Sequence, residues 1–396
     1  MPDRNLYLIN QMAGPLFQET AIGLASKWKG TCYLVTGHPD TIKYSSSYPK
    51  NLSLVTGVEY DKSTMLRRLI TWLIFAISSL KVFLESKKDD VFLIVSNPPF
   101  LAAIIWLASR IKRRDYFVLI YDVHPDLLIS LGTLSEHSFL AKVWRWFNRK
   151  AYRDSIGVIT LGSHMEKVLS QYFERGVGEI AVIPPWVDTN KILPIDKNVN
   201  PLRMEINPEN KFVVLYSGNM GFSHDIESML NAALLLKSEK DILFLFVGNG
   251  PKWRLAQEFK VNNELSNIHV LPFQNEDRAP NLMALADISL VSLEAGAEGK
   301  LIPSKVFSYL AAGSAVIGVC SDNNDLQDII QKTRSGVWVN PGDPKALARE
   351  IMHMWINREE LNIYKKNARE SVVENFSKEK GILAFQHLFK SHGYFK

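Results

Sequence analysis

Short runs of β-branched and aromatic residues alternate with helix-length segments along the whole chain, and this rhythm limits the fold more than any other feature. Strands covered by helices on both faces read as continuous apolar runs, and helical crossovers between them make a parallel sheet. In the first half the runs open near Leu6, Cys32, Leu52, Val91, Phe117, Gly157 and Ile180. Residues 184–210 break the pattern. Pro184, Pro185, Pro194, Pro201 and Pro208 fall there with little periodicity between them, which reads as an interdomain connection. A second series restarts at Phe212 and recurs near Leu243, His269, Ile288, Ala315 and Val337, and everything from Pro344 to Phe395 reads as helix. The expected architecture is α/β: two doubly wound, Rossmann-like domains facing each other across a cleft, with ligands at the carboxyl ends of the strands. The expected divisions are an N-terminal domain at 1–188, a connection at 189–210, a C-terminal domain at 211–376 and a closing helix at 377–396.

A chain of 396 residues exceeds what one core usually holds, in keeping with two domains. Cys32 and Cys320 are its two cysteines, so a disulfide framework is not expected and a reducing cytosol suits it. The opening Met1-Pro2-Asp3-Arg4-Asn5 leads straight into Leu6, and reads as a first strand rather than a signal peptide. The net charge of +5 is uneven: residues 1–180 hold 22 Lys and Arg against 16 Asp and Glu, an excess of +6, and the remainder carries −1. In the basic half, residues 69–80 form an apolar run that includes Trp72 and is flanked by Arg67, Arg68 and Lys81. That length cannot cross a bilayer, which takes about 20 residues. It is either a buried helix of the first domain or a shallow insertion into an anionic leaflet. Residues 139–150 interleave aromatics with bases and suit either lipid headgroups or a cleft wall. Nucleic acid is not an expected partner, since the excess charge is small and no binding motif appears.

Four strand-end turns bring together groups with chemistry. In Glu298-Gly299-Lys300-Leu301-Ile302-Pro303-Ser304-Lys305, a turn opens an apolar helix. Pro303 suits the first helical position, and Ser304 and Lys305 then sit beside unpaired backbone donors. With Lys300 and Lys305 alongside, that helix start is a ready diphosphate site, and Glu298 can accept hydrogen bonds from sugar hydroxyls. Simple connection chemistry explains the same spacing. The turn Tyr216-Ser217-Gly218-Asn219-Met220-Gly221 lets backbone approach a ligand, although the three-glycine dinucleotide fingerprint is absent. A third turn, Gly248-Asn249-Gly250-Pro251, is similar. In the first domain, Asp122 and Asp126 bracket His124 at the end of a strongly apolar strand, which suits an acid–base group or, equally, a helix cap beside a structural histidine.

Beyond these turns, Ile183-Pro184-Pro185-Trp186-Val187-Asp188 resembles the Pro-Asn-Trp-Val-Asp signature of one bacterial glycosyltransferase branch. The Tyr216–Gly221 turn and the Pro303-Ser304-Lys305 … Tyr309-Leu310-Ala311-Ala312-Gly313 segment are similar to the same branch. It belongs to glycosyltransferase family 4, of GT-B fold, and includes colanic-acid, O-antigen and exopolysaccharide glycosyltransferases. The resemblance implies that Glu298 is the first Glu of the family's Glu-x7-Glu motif and contacts the donor sugar, with Gly299 and Lys300 beside it. It implies a diphosphate cradle of Gly218, Asn219, Gly221, Lys300, Ser304 and Lys305, and a nucleoside held near Asn249, Phe273 and Gln274. His124, with Asp122 and Asp126, would lie near the transferred sugar, Gly14 would mark the acceptor side, and the closing helix would return to the N-terminal domain.

The chain also departs from the pattern. Val306 stands where the motif's second Glu would hold the ribose, and Asn219 and His224 stand where relatives often use Arg and Lys. Lys305, with Lys300, is left to supply the positive charge. The expected reaction is retaining transfer of a hexosyl unit from a nucleoside-diphosphate sugar, a UDP-sugar first among them, to a polyprenyl-diphosphate-linked or other saccharide in surface polysaccharide synthesis. No Asp-x-Asp occurs, so neither a metal nor another cofactor is expected. The expected location is the cytoplasm, peripheral on an anionic membrane face. A GT-B nucleotide-sugar 2-epimerase and an inactive membrane scaffold are the alternatives.

Overall fold

Seven parallel strands form the first sheet, in the spatial order Leu52–Thr56, Cys32–Thr36, Leu6–Ile9, Val91–Val95, Asp115–Leu119, Gly157–Thr160 and Ile180–Val182. A computed structural model of the protein describes residues 4–39, 48–173, 180–207, 209–221, 224–275, 277–293 and 295–394. It divides into two units: residues 1–185, 299–301 and 378–396 make the first, and residues 186–298 and 302–377 the second.

The first unit contains β1 (Leu6–Ile9), β2 (Cys32–Thr36), β3 (Leu52–Thr56), β4 (Val91–Val95), β5 (Asp115–Leu119), β6 (Gly157–Thr160) and β7 (Ile180–Val182). Its helices are α1 (Pro15–Ala25), α2 (Met65–Glu85), α3 (Leu101–Ile111), α4 (Asp126–Ser130), α5 (Phe139–Arg153) and α6 (Ser163–Ser170). All five residues of β4 are buried, as a central strand covered on both faces requires. Tyr7 stacks between Tyr33 and Phe92 at 4.8 Å on each side, joining three neighbouring strands through their side chains. Local caps set the helix starts: Thr64 accepts from the Arg67 N–H at α2, and Ser138 accepts from the Ala141 N–H at α5.

The second unit contains α7 (Arg203–Ile206), β8 (Phe212–Asn219), α8 (Ile226–Leu235), β9 (Ile242–Asn249), α9 (Pro251–Asn262), β10 (Ile268–Pro272), α10 (Ala279–Met283) and β11 (Ile288–Ser292). It continues with α11 (Lys305–Ala311), β12 (Ala315–Val319), α12 (Asp325–Thr333), β13 (Gly336–Val339), α13 (Pro344–Ile356) and α14 (Arg358–Asn375). Its six parallel strands run β10-β9-β8-β11-β12-β13, the strand order of a dinucleotide-type doubly wound sheet. The strand order reverses between β8 and β11, and the crevice at that switch point is where such sheets bind ligands. From Trp186 the proline-bearing stretch packs on this unit: Arg369 donates to the Thr189 and Ile192 carbonyls at 3.0 Å, and the Asn200 amide donates to the Asn281 carbonyl at 2.8 Å.

The closing helix α15 (Lys378–Ser391) lies in the first unit, where the Gln386 amide donates to the Gly23 carbonyl at 2.8 Å. Phe389 is fully buried there, its ring 4.6 Å from Phe117.

Two doubly wound α/β domains are thus as expected from the sequence. The apolar run at 69–80 is neither wholly buried nor wholly exposed. In α2, Phe75, Ala76, Ser79 and Phe83 face the core, while Leu66, Leu69, Ile70, Leu73 and Ile77 form an exposed stripe at helical spacing. Among the described residues, no helix is long and apolar enough to cross a membrane.

Candidate active site

Glycine backbone and one lysine define the switch point of the second sheet. The β8–β9 register pairs Gly218 with Gly248 and Asn219 with Asn249, and β10 brings Pro272 level with Gly248. Gly218, Asn219, Asn249, Phe273 and Gln274 therefore share the carboxyl edge of this sheet, as the sequence suggests. Gly218 has φ +134, and a Cβ there would lie 3.2 Å from Lys305 Nζ. Gly250 has φ +111, and a Cβ would lie 2.6 Å from Asn219 Oδ1. Both positions require glycine because backbone has to approach closely in a conformation that side chains disfavour.

Lys305 is the first residue of α11. Its Nζ donates to the Tyr216 hydroxyl at 2.8 Å and lies 4.0 Å from the centre of that ring. Burial pushes its pKa down to about 7. Tyr216 in turn donates to the Asn219 carbonyl at 3.0 Å. Tyr309, one helical turn beyond Lys305, accepts from the Ser217 N–H at 2.8 Å and donates to the Ser217 carbonyl at 2.9 Å. The two tyrosines fix the turn from both ends, so the ammonium and the Gly218 backbone are held in one arrangement. The sequence argues this turn from its glycines; the paired hydroxyl bonds of the two tyrosines appear only in three dimensions.

The start of α11 differs in detail from expectation. Ser304, exposed, is the N-cap and makes no side-chain cap bond, so Pro303 lies just outside the helix instead of at its first position. The Pro303 carbonyl nevertheless accepts the Val306 N–H at 3.1 Å. Val306 is fully buried and offers no polar group to a ribose. Glu298 accepts from the Gly296 N–H at 2.6 Å and from the Ser321 hydroxyl at 2.7 Å, which orients its carboxylate. Gly299 and Lys300 belong to the first unit, where the Val123 N–H donates to the Lys300 carbonyl at 2.9 Å. Gly299, at φ +65, lies so near the His164 carbonyl that a Cβ would approach it to 2.9 Å.

Gly221 closes the β8 turn by accepting the His224 N–H at 3.2 Å; Phe222 and Ser223 lie outside the described residues. His224 Nδ1 is 3.3 Å from the Ser292 carbonyl at the end of β11. Burial, with Lys305 nearby, pushes the His224 pKa down to about 4, so it is neutral near pH 7 and does not replace the missing cation. Lys252 donates to the His224 carbonyl and pairs with Glu227. Among the described residues, Lys305 is paired with no carboxylate.

In the first unit, His124 follows the carboxyl end of β5. Burial pushes its pKa down, against the opposing pull of Asp122 and Asp126, and burial pushes that of Asp122 up. Its carbonyl accepts from the Asn148 amide at 2.7 Å, and its ring lies 6.0 Å from Trp144. Among the described residues, His124 Nδ1, Trp144 Nε1 and Asn148 Oδ1 are all buried without a hydrogen-bond partner. Three orphaned polar atoms grouped at a strand end make a site ready for a polar ligand. Trp144 and Asn148 are one helical turn apart on α5, a relationship hidden within the aromatic and basic run of the sequence. Asp126 is placed differently from His124: it is buried, Arg145 grips its Oδ1 through Nε at 3.1 Å and Nη2 at 2.7 Å, and Tyr172 donates to its Oδ2. That carboxylate anchors α4 to α5 and to the turn that follows α6. Gly14 caps α1 at the end of β1 with open space around the position of a Cβ. Beside that strand end, Gln11 Oε1, Arg68 Nε and Trp72 Nε1 are also buried without partners among the described residues. Among the described residues, no three His, Cys, Asp or Glu side chains form a metal-binding group.

Residues 202–371 match the family described as glycosyl transferases group 1. The chain is 26% identical over 276 residues to WbjE of Pseudomonas aeruginosa, provisionally named a glycosyltransferase, a match covering 69% of this chain and 68% of that one. It is 27% identical over 331 residues to WcaI of Escherichia coli (strain K12), provisionally named a colanic acid biosynthesis glycosyl transferase, covering 81% and 79%. The crystal structure of Anabaena HepE in complex with UDP-glucose has a TM-score of 0.71 to this chain at 14% identity, covering 98% of this chain and 99% of that one. At that identity the likeness shows the fold, GT-B, and no more.

Proposed function

Because the chain is a glycosyltransferase whose residues 202–371 form a group 1 glycosyl transferase domain, we propose that it moves a hexosyl unit from a nucleoside-diphosphate sugar to a lipid-linked saccharide in surface polysaccharide synthesis, with retention at the anomeric carbon. The observation that carries this reading is the Lys305–Tyr216–Gly218 cradle: an ammonium without a carboxylate, set against glycine backbone at the switch point of a doubly wound sheet. A diphosphate supplies the negative charge that such a lysine lacks. The name of WcaI supports the polysaccharide assignment, and the UDP-glucose bound by HepE supports a UDP-sugar donor.

In this reading the bond from the anomeric carbon to the diphosphate oxygen breaks while the acceptor oxygen bonds to that carbon from the same face. The acceptor proton passes to the departing phosphate. Positive charge grows on the sugar ring and negative charge on the diphosphate, so Lys305 and the backbone N–H groups of the Gly218 turn stabilise the transition state more than the ground state. Glu298, oriented by Ser321 and Gly296, accepts from the donor sugar's hydroxyls. His124, neutral through burial, orients the acceptor. No metal is invoked, and Lys305 carries the charge a metal would otherwise meet.

Calorimetric titration with UDP, GDP and dTDP, each with and without EDTA, tests the donor site. Micromolar binding of one nucleotide, unchanged by EDTA, is expected. Failure of all three to bind would remove the donor reading.

The same proposal puts the protein peripherally on an anionic membrane face, through the exposed apolar stripe of α2 and its flanking Arg67, Arg68 and Lys81. Replacing those three bases with Gln should weaken cosedimentation with anionic vesicles on the order of 10²-fold, about one kcal/mol being at stake per basic residue. Unchanged cosedimentation would sink the membrane assignment.

A further inference from the structure

The first unit carries a second constellation at the edge of its sheet opposite His124. Asp115 opens β5, whereas His124 follows its other end, so a five-residue strand lies between the two places, roughly 17 Å at about 3.3 Å per residue. At the Asp115 edge, Arg4, Lys88, Arg110, Arg113 and Arg114 line a cavity of 510 Å³, with two more positive than negative side chains around it. Three of these bases are engaged. Arg110 pairs with Asp154 at 3.5 Å, Arg114 donates to the Ser86 hydroxyl and carbonyl, and Arg4 lies over the Tyr394 ring. Lys88 and Arg113 are exposed and have no ion-pair partner among the described residues.

An apolar groove of 330 Å³ between α2 and α3 approaches the same edge. Aliphatic side chains line it throughout, including Ile77, Leu80 and Leu84 from α2 and Ile104, Leu107 and Ile111 from α3. Ile111 is 80% exposed, and Ile77 joins the groove to the exposed stripe of α2. Both helices run out of the groove into the cationic cavity: Leu84 leads to Lys88, and Ile111 leads to Arg113. Hydrocarbon is needed to cover the groove and an anion to satisfy the cavity, and the two needs are consecutive along each helix.

We propose that this surface binds one anionic phospholipid, with an acyl chain along the α2–α3 groove and the phosphate against Lys88 and Arg113. Lying a strand length from His124, it is an accessory site and not the acceptor's. The inference extends the membrane reading above, and its test is independent of vesicles.

The probe is dihexanoyl-phosphatidylglycerol kept below its micelle concentration, titrated calorimetrically into the full-length protein. Glycerol 3-phosphate and dihexanoyl-phosphatidylcholine are the controls. One-to-one binding is expected, roughly tenfold or more tighter than either control. It should weaken by a similar factor in the double variant Lys88→Glu/Arg113→Glu and in Leu107→Asp, all of them exposed positions where folding is not at stake. The proposal fails if glycerol 3-phosphate binds as tightly, which would make the cavity a site for soluble anions. It also fails if phosphatidylcholine binds as tightly, if both variants behave as wild type, or if sedimentation shows a dimer that Leu107→Asp dissociates, which would make a second copy the occupant. Retained phosphatidylglycerol binding alongside lost vesicle dependence on Arg67, Arg68 and Lys81 would sink the membrane reading and leave this site standing.

Discussion

The Lys305 ammonium donates to the Tyr216 hydroxyl at 2.8 Å, and burial holds it half titrated near neutral pH, at about 7. A diphosphate brought beside it favours the charged form and raises that pKa again. Binding of a nucleotide sugar at pH 8.5 should therefore take up close to one proton, and binding at pH 5.5 almost none, since Lys305 is already protonated there. Calorimetry in buffers of different ionisation enthalpy reads this uptake directly. A buffer-independent enthalpy at pH 8.5 would show that Lys305 does not meet the diphosphate. Lys305→Ala should abolish the uptake and cost turnover on the order of 10²-fold or more.

His124 and Asp126 stand two residues apart and have opposite expected phenotypes. His124 sits among orphaned polar atoms, whereas Asp126 is bound by Arg145 and Tyr172. His124→Ala should lower kcat on the order of 10²-fold and shift the denaturation midpoint little. Asp126→Asn leaves Arg145 with Glu136 as its one remaining carboxylate among the described residues and should cost about 1–3 kcal/mol of stability, with kcat in the surviving folded protein within tenfold of wild type. Urea melts beside single-turnover assays separate the two roles. Similar stability losses in both variants would make His124 structural.

Much of this was legible in the sequence, and the boundary of legibility has physical causes. The strand positions follow from continuous apolar runs such as Val91–Val95, whose burial on both faces leaves no other reading. Lys305, Gly218 and Glu298 stand in turns whose residue types announce their chemistry. The structural roles of Tyr216 and Tyr309 are not legible within those turns, because the Tyr216 hydroxyl meets Lys305, and the Tyr309 hydroxyl the Ser217 backbone, across about 90 residues of sequence. Asp126 looked equivalent to Asp122 because its partners Arg145 and Tyr172 lie 19 and 46 residues away. The exposed stripe of α2 escaped periodicity for a similar reason: a helix apolar on both faces carries no contrast to read.

Acid should destabilise the second unit through His224. Its folded pKa, about 4, lies below the unfolded value of 6.5. Between those values the unfolded chain binds a proton that the folded chain does not. The stabilising contribution is thus intact above pH 6.5 and is lost as the pH falls towards 4. His224→Gln should flatten this part of the acid limb, by on the order of 2–3 kcal/mol between pH 8 and pH 4.5. Thermal melts of wild type and variant across that range provide the comparison, and parallel curves would contradict it.

Gly218, near the carboxyl end of β8, and Gly14, beyond the end of β1, stand in different environments. Gly218 has φ +134 and its missing Cβ would lie 3.2 Å from Lys305 Nζ, whereas Gly14 has φ −70 and open space. Gly218→Ala forces a strained backbone, costing about 1–3 kcal/mol, and pushes the ammonium away from its Tyr216 bond. Nucleotide affinity should fall about tenfold, the equivalent of one weakened charge-assisted hydrogen bond. Gly14→Ala should change stability by less than about 1 kcal/mol and leave nucleotide affinity untouched. If Gly14 borders the acceptor, the methyl group raises the acceptor KM alone. Nucleotide titrations of the two variants decide the matter, because equal affinities would mean that the diphosphate does not lie against the Gly218 backbone.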